Sequence, residues 1–86
     1  MKKITMFMME SCPFCKRALS WMDELIAGNP EYKRLDIEKI DELIHPDIAG
    51  RYDYYYVPTY YVGEEKLHEG AASLEDIRHV FDAALE

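Results

Sequence analysis

Basic residues are scarce in this chain. Ten Lys and Arg stand against 17 Asp and Glu, a formal charge of −7 over 86 residues. A field of that sign repels phosphate backbones and anionic lipid, so no nucleic-acid or membrane-surface partner is expected. Acidity of this kind serves solubility. Cysteine is scarcer still, with only Cys12 and Cys15. A small secreted domain held by disulfides needs more cysteines, spread along the chain. A bridge between residues this close closes too short a loop to contribute much to folding. The pair is placed for chemistry, which points to a reducing compartment and a cytoplasmic protein. No long apolar run is present either. Lys2 and Lys3 followed by Ile4 to Met9 look like the start of a secretion signal, but the run stops at Glu10 without a small-residue cleavage site. It is also far too short to span a bilayer.

What is present is a balanced composition, 49% apolar and 31% charged, which excludes a disordered acidic tail. Residues 1–86 are the length of one domain. Roughly 60–65% of the unfolded surface of such a chain can be buried, enough for one modest core.

Ile4 to Met9 is apolar at almost every position, as a strand buried on both faces requires. Ala18, Met22 and Leu25, widened by Leu19 and Ile26, form a helical stripe. Pro13 suits its first position, and Gly28-Asn29-Pro30 ends it. Tyr32 to Ile37 is expected as a second strand, with Leu35 and Ile37 inward, completing a right-handed βαβ unit with parallel strands. Ile40, Leu43, Ile44 and Ile48 give a second helical stripe, and Pro46 either ends a first turn or opens the helix. Thr59 to Val62, the turn Gly63-Glu64-Glu65, and Lys66 to Glu69 read as a hairpin. Ser73 is an N-cap with Asp76 in a capping-box position. Leu74, Ile77, Phe81, Ala84 and Leu85 make the last stripe. The expected fold is α/β, in the order β-α-β-α-β-β-α, a four-stranded mixed sheet covered by helices on both faces.

Cys12-Pro13-Phe14-Cys15 stands at a strand-to-helix junction. With Cys12 at the N-cap, the free N–H groups of Phe14 and Cys15 and the helix dipole act on its sulfur. The Cys12 pKa is therefore expected below the free value of about 8.5. Cys15, one turn on, is expected to be less exposed. Helix residues three apart lie roughly 5 Å from each other, within disulfide range. Cys12 would attack a substrate disulfide, and Cys15 would resolve the mixed disulfide. Lys16 and Arg17 are the nearest cations, and Glu10 would oppose them if close. The alternative is a metal or iron–sulfur binding module sharing the Cys12/Cys15 pair across a dimer. Half of a zinc site is missing, however, since His45, His68 and His79 lack ligand spacing.

These features together resemble the glutaredoxins within the thioredoxin fold. The resemblance rests on Cys12-Pro13-Phe14-Cys15 after a buried strand, Val57-Pro58 before the hairpin and Gly70-Ala71 before the last helix, and it spans essentially the whole chain. It implies a glutaredoxin-like thiol–disulfide oxidoreductase, acting as a monomer on disulfide-containing proteins or glutathione mixed disulfides. No tightly bound cofactor is implied, and no metal. Glutathione or a thioredoxin-type reductase would supply electrons. The resemblance also implies that Pro58 is cis and that the Val57 backbone pairs with the incoming thiol compound. The substrate groove would be formed by Pro13, Phe14, Tyr56, Val57, Pro58, Gly70, Ala71, Ala72 and Ser73. The chain departs from the family at Met9, where a Lys is usual, at Tyr56, where a Thr is usual, and at Gly70-Ala71-Ala72-Ser73, which displaces the acidic pair to Glu75 and Asp76. The Lys and the acidic pair are the family's charged contacts to glutathione, so the resemblance implies weaker glutathione contacts here. The N–H groups around Ala72 and Ser73 remain as expected carboxylate donors. Tyr54, Tyr55, Tyr56, Tyr60 and Tyr61 flank Pro58. Tyr60 and Tyr61 must face opposite sides of a strand, and for any single ring a place in the core is the default.

Overall fold

A computed structural model describes residues 1–86. Strand β1, Ile4–Met8, is buried at every position. It is followed by helix α1, Pro13–Gly28, a 3-10 turn at Pro30–Arg34, and strand β2, Ile37–Asp41. Then come the one-turn helix α2, Pro46–Ala49, the hairpin strands β3, Thr59–Val62, and β4, Glu65–Glu69, and helix α3, Leu74–Leu85. The sheet order is β2-β1-β3-β4. β1 runs parallel to β2 and antiparallel to β3, which pairs antiparallel with β4. β1 is interior, which explains why it is apolar at all but Thr5.

The strand alternation divides the core between two faces. Ile4, Met6, Met8, Tyr60 and Val62 meet Ala18, Met22 and Leu25 of α1 and Ile77, Val80, Phe81 and Ala84 of α3. Full burial of a side chain such as Phe81 or Ile77 contributes roughly 1.5–3 kcal/mol. Two polar links lock this layer. Tyr60 donates its hydroxyl to Met22 Sδ at 3.2 Å. Tyr32 packs edge-on against Phe81 and donates to Asp82 Oδ1 at 2.6 Å. The opposite face holds a smaller cluster of Phe7, Ile40, Ala49 and Tyr61. α2 and a set of tyrosines cover it. The Tyr54 ring stacks on Phe7 at 4.9 Å, and Tyr52 tilts over Phe7 at 4.6 Å. Tyr60 and Tyr61 therefore do face opposite sides.

Two sequence expectations are corrected. The second strand is β2 at Ile37–Asp41, not Tyr32 to Ile37. The earlier stretch forms a 3-10 turn because Asn29 caps it, its side chain accepting from Glu31 N–H at 3.1 Å, and Pro30 presets its first φ. Nor do Ile40, Leu43, Ile44 and Ile48 share a helix. Ile40 belongs to β2, while Leu43 and Ile44 are exposed in a turn. Asp41 builds that turn, accepting from Leu43 N–H through its side chain at 2.9 Å and from His45 N–H through its carbonyl at 2.8 Å. Pro46 opens the helix. Elsewhere the elements fall where the pattern puts them. The Ser73–Asp76 capping box is complete. No helix is long and apolar enough to cross a membrane.

Candidate functional site

Parallel pairing brings the C-terminal ends of β1 and β2 to one edge of the sheet, and α1 begins there. Cys12 occupies the N-cap of α1 with extended backbone, φ −78° and ψ 122°, and Pro13 follows at the first helical position. Its backbone is fixed from both sides. Its N–H donates to the Met9 carbonyl at 3.1 Å, and its carbonyl accepts from Lys16 at 3.0 Å. The sulfur makes no regular capping hydrogen bond. The Cys15 N–H is nonetheless directed at it and lowers its pKa, aided by the Phe14 N–H and the Cys15 thiol and opposed by partial desolvation. A weaker contact with the same amides suffices, because helix N-terminal N–H groups have no other partner.

Cys15 has the opposite character. It is fully buried, and burial first of all pushes its thiol up to about 11. The Met9 N–H, 3.5 Å from Sγ, pulls the other way. Both cysteines are free thiols. The neighbouring acid that raises both is Glu42, not Glu10. Glu10 is exposed, its N–H bonded to Asp41 Oδ2 at 3.2 Å. Glu42 follows β2 directly, and the Tyr54 hydroxyl donates to it at 2.7 Å. Only the true register of β2 reveals its place. Had the residue just after the parallel partner of β1 been sought, Glu42 could have been found. Lys16 and Arg17 are exposed on α1.

Val57 and Pro58 reach the same edge from the other side. Their peptide bond is cis, as the resemblance implied. Pro58 is fully buried. Cys12, Val57 and Ala72 all pack against the larger core cluster, and Val57 touches the smaller one too. The start of β3 is tied to the end of β4 by Gly70 N–H donating to the Pro58 carbonyl at 2.8 Å. Gly70 has φ +94°, which favours glycine, and a Cβ there would lie 3.8 Å from that of Tyr56. Phe14, Tyr56 and Ala71 are exposed. Phe14 and Tyr56 set apolar surface into the elements that carry the dithiol and the cis proline.

Ser73 differs from expectation. Its N–H is not free, because it donates to Asp76 Oδ2 at 2.9 Å, while Asp76 N–H donates to Ser73 Oγ at 3.1 Å. The chain's own carboxylate sits where an incoming one was expected, and the Ser73 amide holds the Asp76 carboxyl below the usual aspartate range. No three His, Cys, Asp or Glu side chains are grouped so as to hold a metal ion.

No protein-family profile and no curated protein matches the chain. Solved structures do. A malarial protein superposes with a TM-score of 0.70 at 20% identity, covering 96% of each chain. The oxidised thioredoxin of Plasmodium falciparum gives 0.70 at 18% identity, over 93% of this chain and 77% of its own. Thioredoxin 1 of the thermophilic eubacterium Thermosipho africanus gives 0.59 at 24% identity, over 98% and 99%. The α/β architecture, a four-stranded mixed sheet with three helices, is that of the thioredoxin fold.

Proposed function

We propose that the protein is a thiol–disulfide oxidoreductase with a dithiol mechanism. The supporting observation is the contrast between the two sulfurs. A partly exposed Cys12 at a helix N-terminus has its pKa lowered, and a buried Cys15 one turn on has its pKa raised. Cys12 is the nucleophile. Its thiolate attacks one sulfur of a substrate disulfide, the substrate S–S bond breaks, and the departing thiolate takes a proton from water. Cys15 then gives up its proton to water and attacks Cys12 Sγ. The mixed disulfide breaks, the second substrate thiolate leaves, and a Cys12–Cys15 disulfide remains. Two electrons have passed from the dithiol to the substrate. Glutathione or a reductase protein restores the thiols, so no resident cofactor is needed.

Pro13, Phe14, Tyr56, Val57 and Pro58 form the groove, with Gly70, Ala71, Ala72 and Ser73 at its far wall. Within the glutaredoxin and thioredoxin range, protein disulfides are the preferred substrates over glutathione mixed disulfides. The filled Ser73 amide and the exposed Phe14 and Tyr56 rings support this order. The working form is a cytoplasmic monomer. Cys12→Ser should abolish reduction of a protein disulfide, while Cys15→Ser should spare only reactions that glutathione resolves. Normal protein-disulfide reduction by Cys12→Ser would overturn the reading.

A further inference from the structure

Residues 53–58 form no helix or strand, so their amides need partners from outside a ladder. The end of β4 supplies them. One oxygen of Glu69, Oε2, accepts from the N–H of Tyr55 at 2.6 Å and of Tyr56 at 3.0 Å. The other, Oε1, accepts from Lys66 Nζ at 2.7 Å. That ammonium also donates to the Asp53 carbonyl at 3.1 Å. Gly70 holds Pro58, and the Thr59 hydroxyl donates to the Tyr56 carbonyl. The loop is thus pinned at residues 53, 55, 56 and 58, with one carboxylate at its middle. Lys66, and next the Tyr55 N–H, hold the Glu69 carboxyl well down, at about 2, so it is charged from neutral to mildly acidic pH.

With their amides bound to Glu69, Tyr55 and Tyr56 stand 87% and 70% exposed, while Val57 stays half-buried beside Cys12's core cluster. Aromatic rings displayed on a pinned backbone present contact area at low entropic cost.

We infer that Glu69 is a positioning residue, its carboxylate fixing the Tyr55–Tyr56 backbone so that the adjoining Val57 edge receives an extended peptide carrying the substrate disulfide. The inference rests on the oxidoreductase reading of Cys12 and Cys15. To the peptide disulfide already proposed as substrate it adds apolar flanking side chains, which meet the two exposed rings of Tyr55 and Tyr56. A short disulfide without peptide groups has nothing to pair with Val57.

The test compares wild type, Glu69→Ala and Glu69→Gln on two substrates, with dithiothreitol as reductant. One is a disulfide-bonded peptide with several residues on each side of its cysteines, and the other is 2-hydroxyethyl disulfide. The readout is the ratio of kcat/KM for the peptide to that for the small disulfide. Glu69→Ala should lower this ratio roughly tenfold, the change falling in KM for the peptide, since charge-assisted hydrogen bonds of this kind carry about that factor. Glu69→Gln, which keeps an oxygen acceptor, should recover most of it. Amide exchange at Tyr55 and Tyr56 should quicken in Glu69→Ala. A ratio unchanged in both variants would overturn the inference, because a merely structural loss lowers both substrates together. Wild type inert toward both substrates would instead overturn the oxidoreductase reading, and this inference with it.

Discussion

Replacing Asp76 by Ala separates two roles at the start of α3. In the wild type the carboxylate accepts from Ser73 N–H at 2.9 Å and completes the capping box. Loss of that half of the box costs about 1 kcal/mol. Loss of an acid beside the helix N-terminus adds roughly 0.5 kcal/mol. Together these lower the melting temperature by roughly 6–12 °C for a domain of this size. The same change bares the Ser73 amide and removes a negative charge. An incoming carboxylate gains one charge-assisted hydrogen bond, about 1.5 kcal/mol. It is also spared a repulsion of about 1 kcal/mol for charges some 4 Å apart in water. The sum, about 2.5 kcal/mol, predicts that KM for a glutathione mixed disulfide falls upward of tenfold. KM for a peptide disulfide should stay near the wild-type value. Steady-state kinetics on both substrates, beside urea unfolding, makes the measurement. A clear stability loss with no gain toward the glutathione substrate would refute the assignment of this amide as the blocked carboxylate site. The pH sign follows from the depressed Asp76 pKa. The cap's contribution is full above the ordinary aspartate value of 3.8 and is lost as pH falls below it, so the stability gap between wild type and Asp76→Ala should close in that range.

Two further outcomes are expected. Alkylation of Cys12 by iodoacetamide should show a pH midpoint below the free-cysteine value of about 8.5, while Cys15 in the Cys12→Ser variant should resist alkylation at pH 8 until urea is added; a Cys12 midpoint at the free value would count against the helix-terminus argument. Phe81→Ala should cost about 3–5 kcal/mol through the cavity it opens beneath Tyr32, measured by urea unfolding, and a loss under about 1 kcal/mol would mean that the α3 layer collapses to fill the gap.

The parts of the fold that were legible in the sequence are those where local chemistry and tertiary demand agree. β1 is interior and, but for Thr5, apolar. α1 and α3 carry one-sided stripes with Pro13 and Ser73 at their starts, and the Gly63 turn leads into β4. The failures lie where the two disagree. Tyr32 looked like a strand residue, yet it is core because a 3-10 turn aims it at Phe81 and Asp82. β2 is an edge strand, so Glu38 and Lys39 can be exposed and its only fully buried residue is Ile40, too little for a period-two signal. Leu43 and Ile44 completed a false helical stripe because exposed apolar residues are invisible to a pattern that assumes burial. At the site, Cys12, Cys15, Val57 and Pro58 announce themselves by motif. Glu42 and Glu69 do not. Each is an ordinary surface-type acid whose role comes from a partner 12 to 14 residues away, namely Tyr54 for Glu42 and the Tyr55 and Tyr56 amides for Glu69. Tyr55 and Tyr56 depart from the default for a tyrosine: both stand exposed beside the cis proline.

The unequal cover of the sheet has a consequence for how the molecule loosens. Two long helices shield one side, whereas a single turn of helix and a few phenol rings shield the other. Free energies of local opening follow such differences in packing. Deuterium should therefore enter the backbone of β2 and residues 46–52 well before that of α1 and β1. Val57, touching both layers, marks the seam where such breathing would stop short of the sulfur pair.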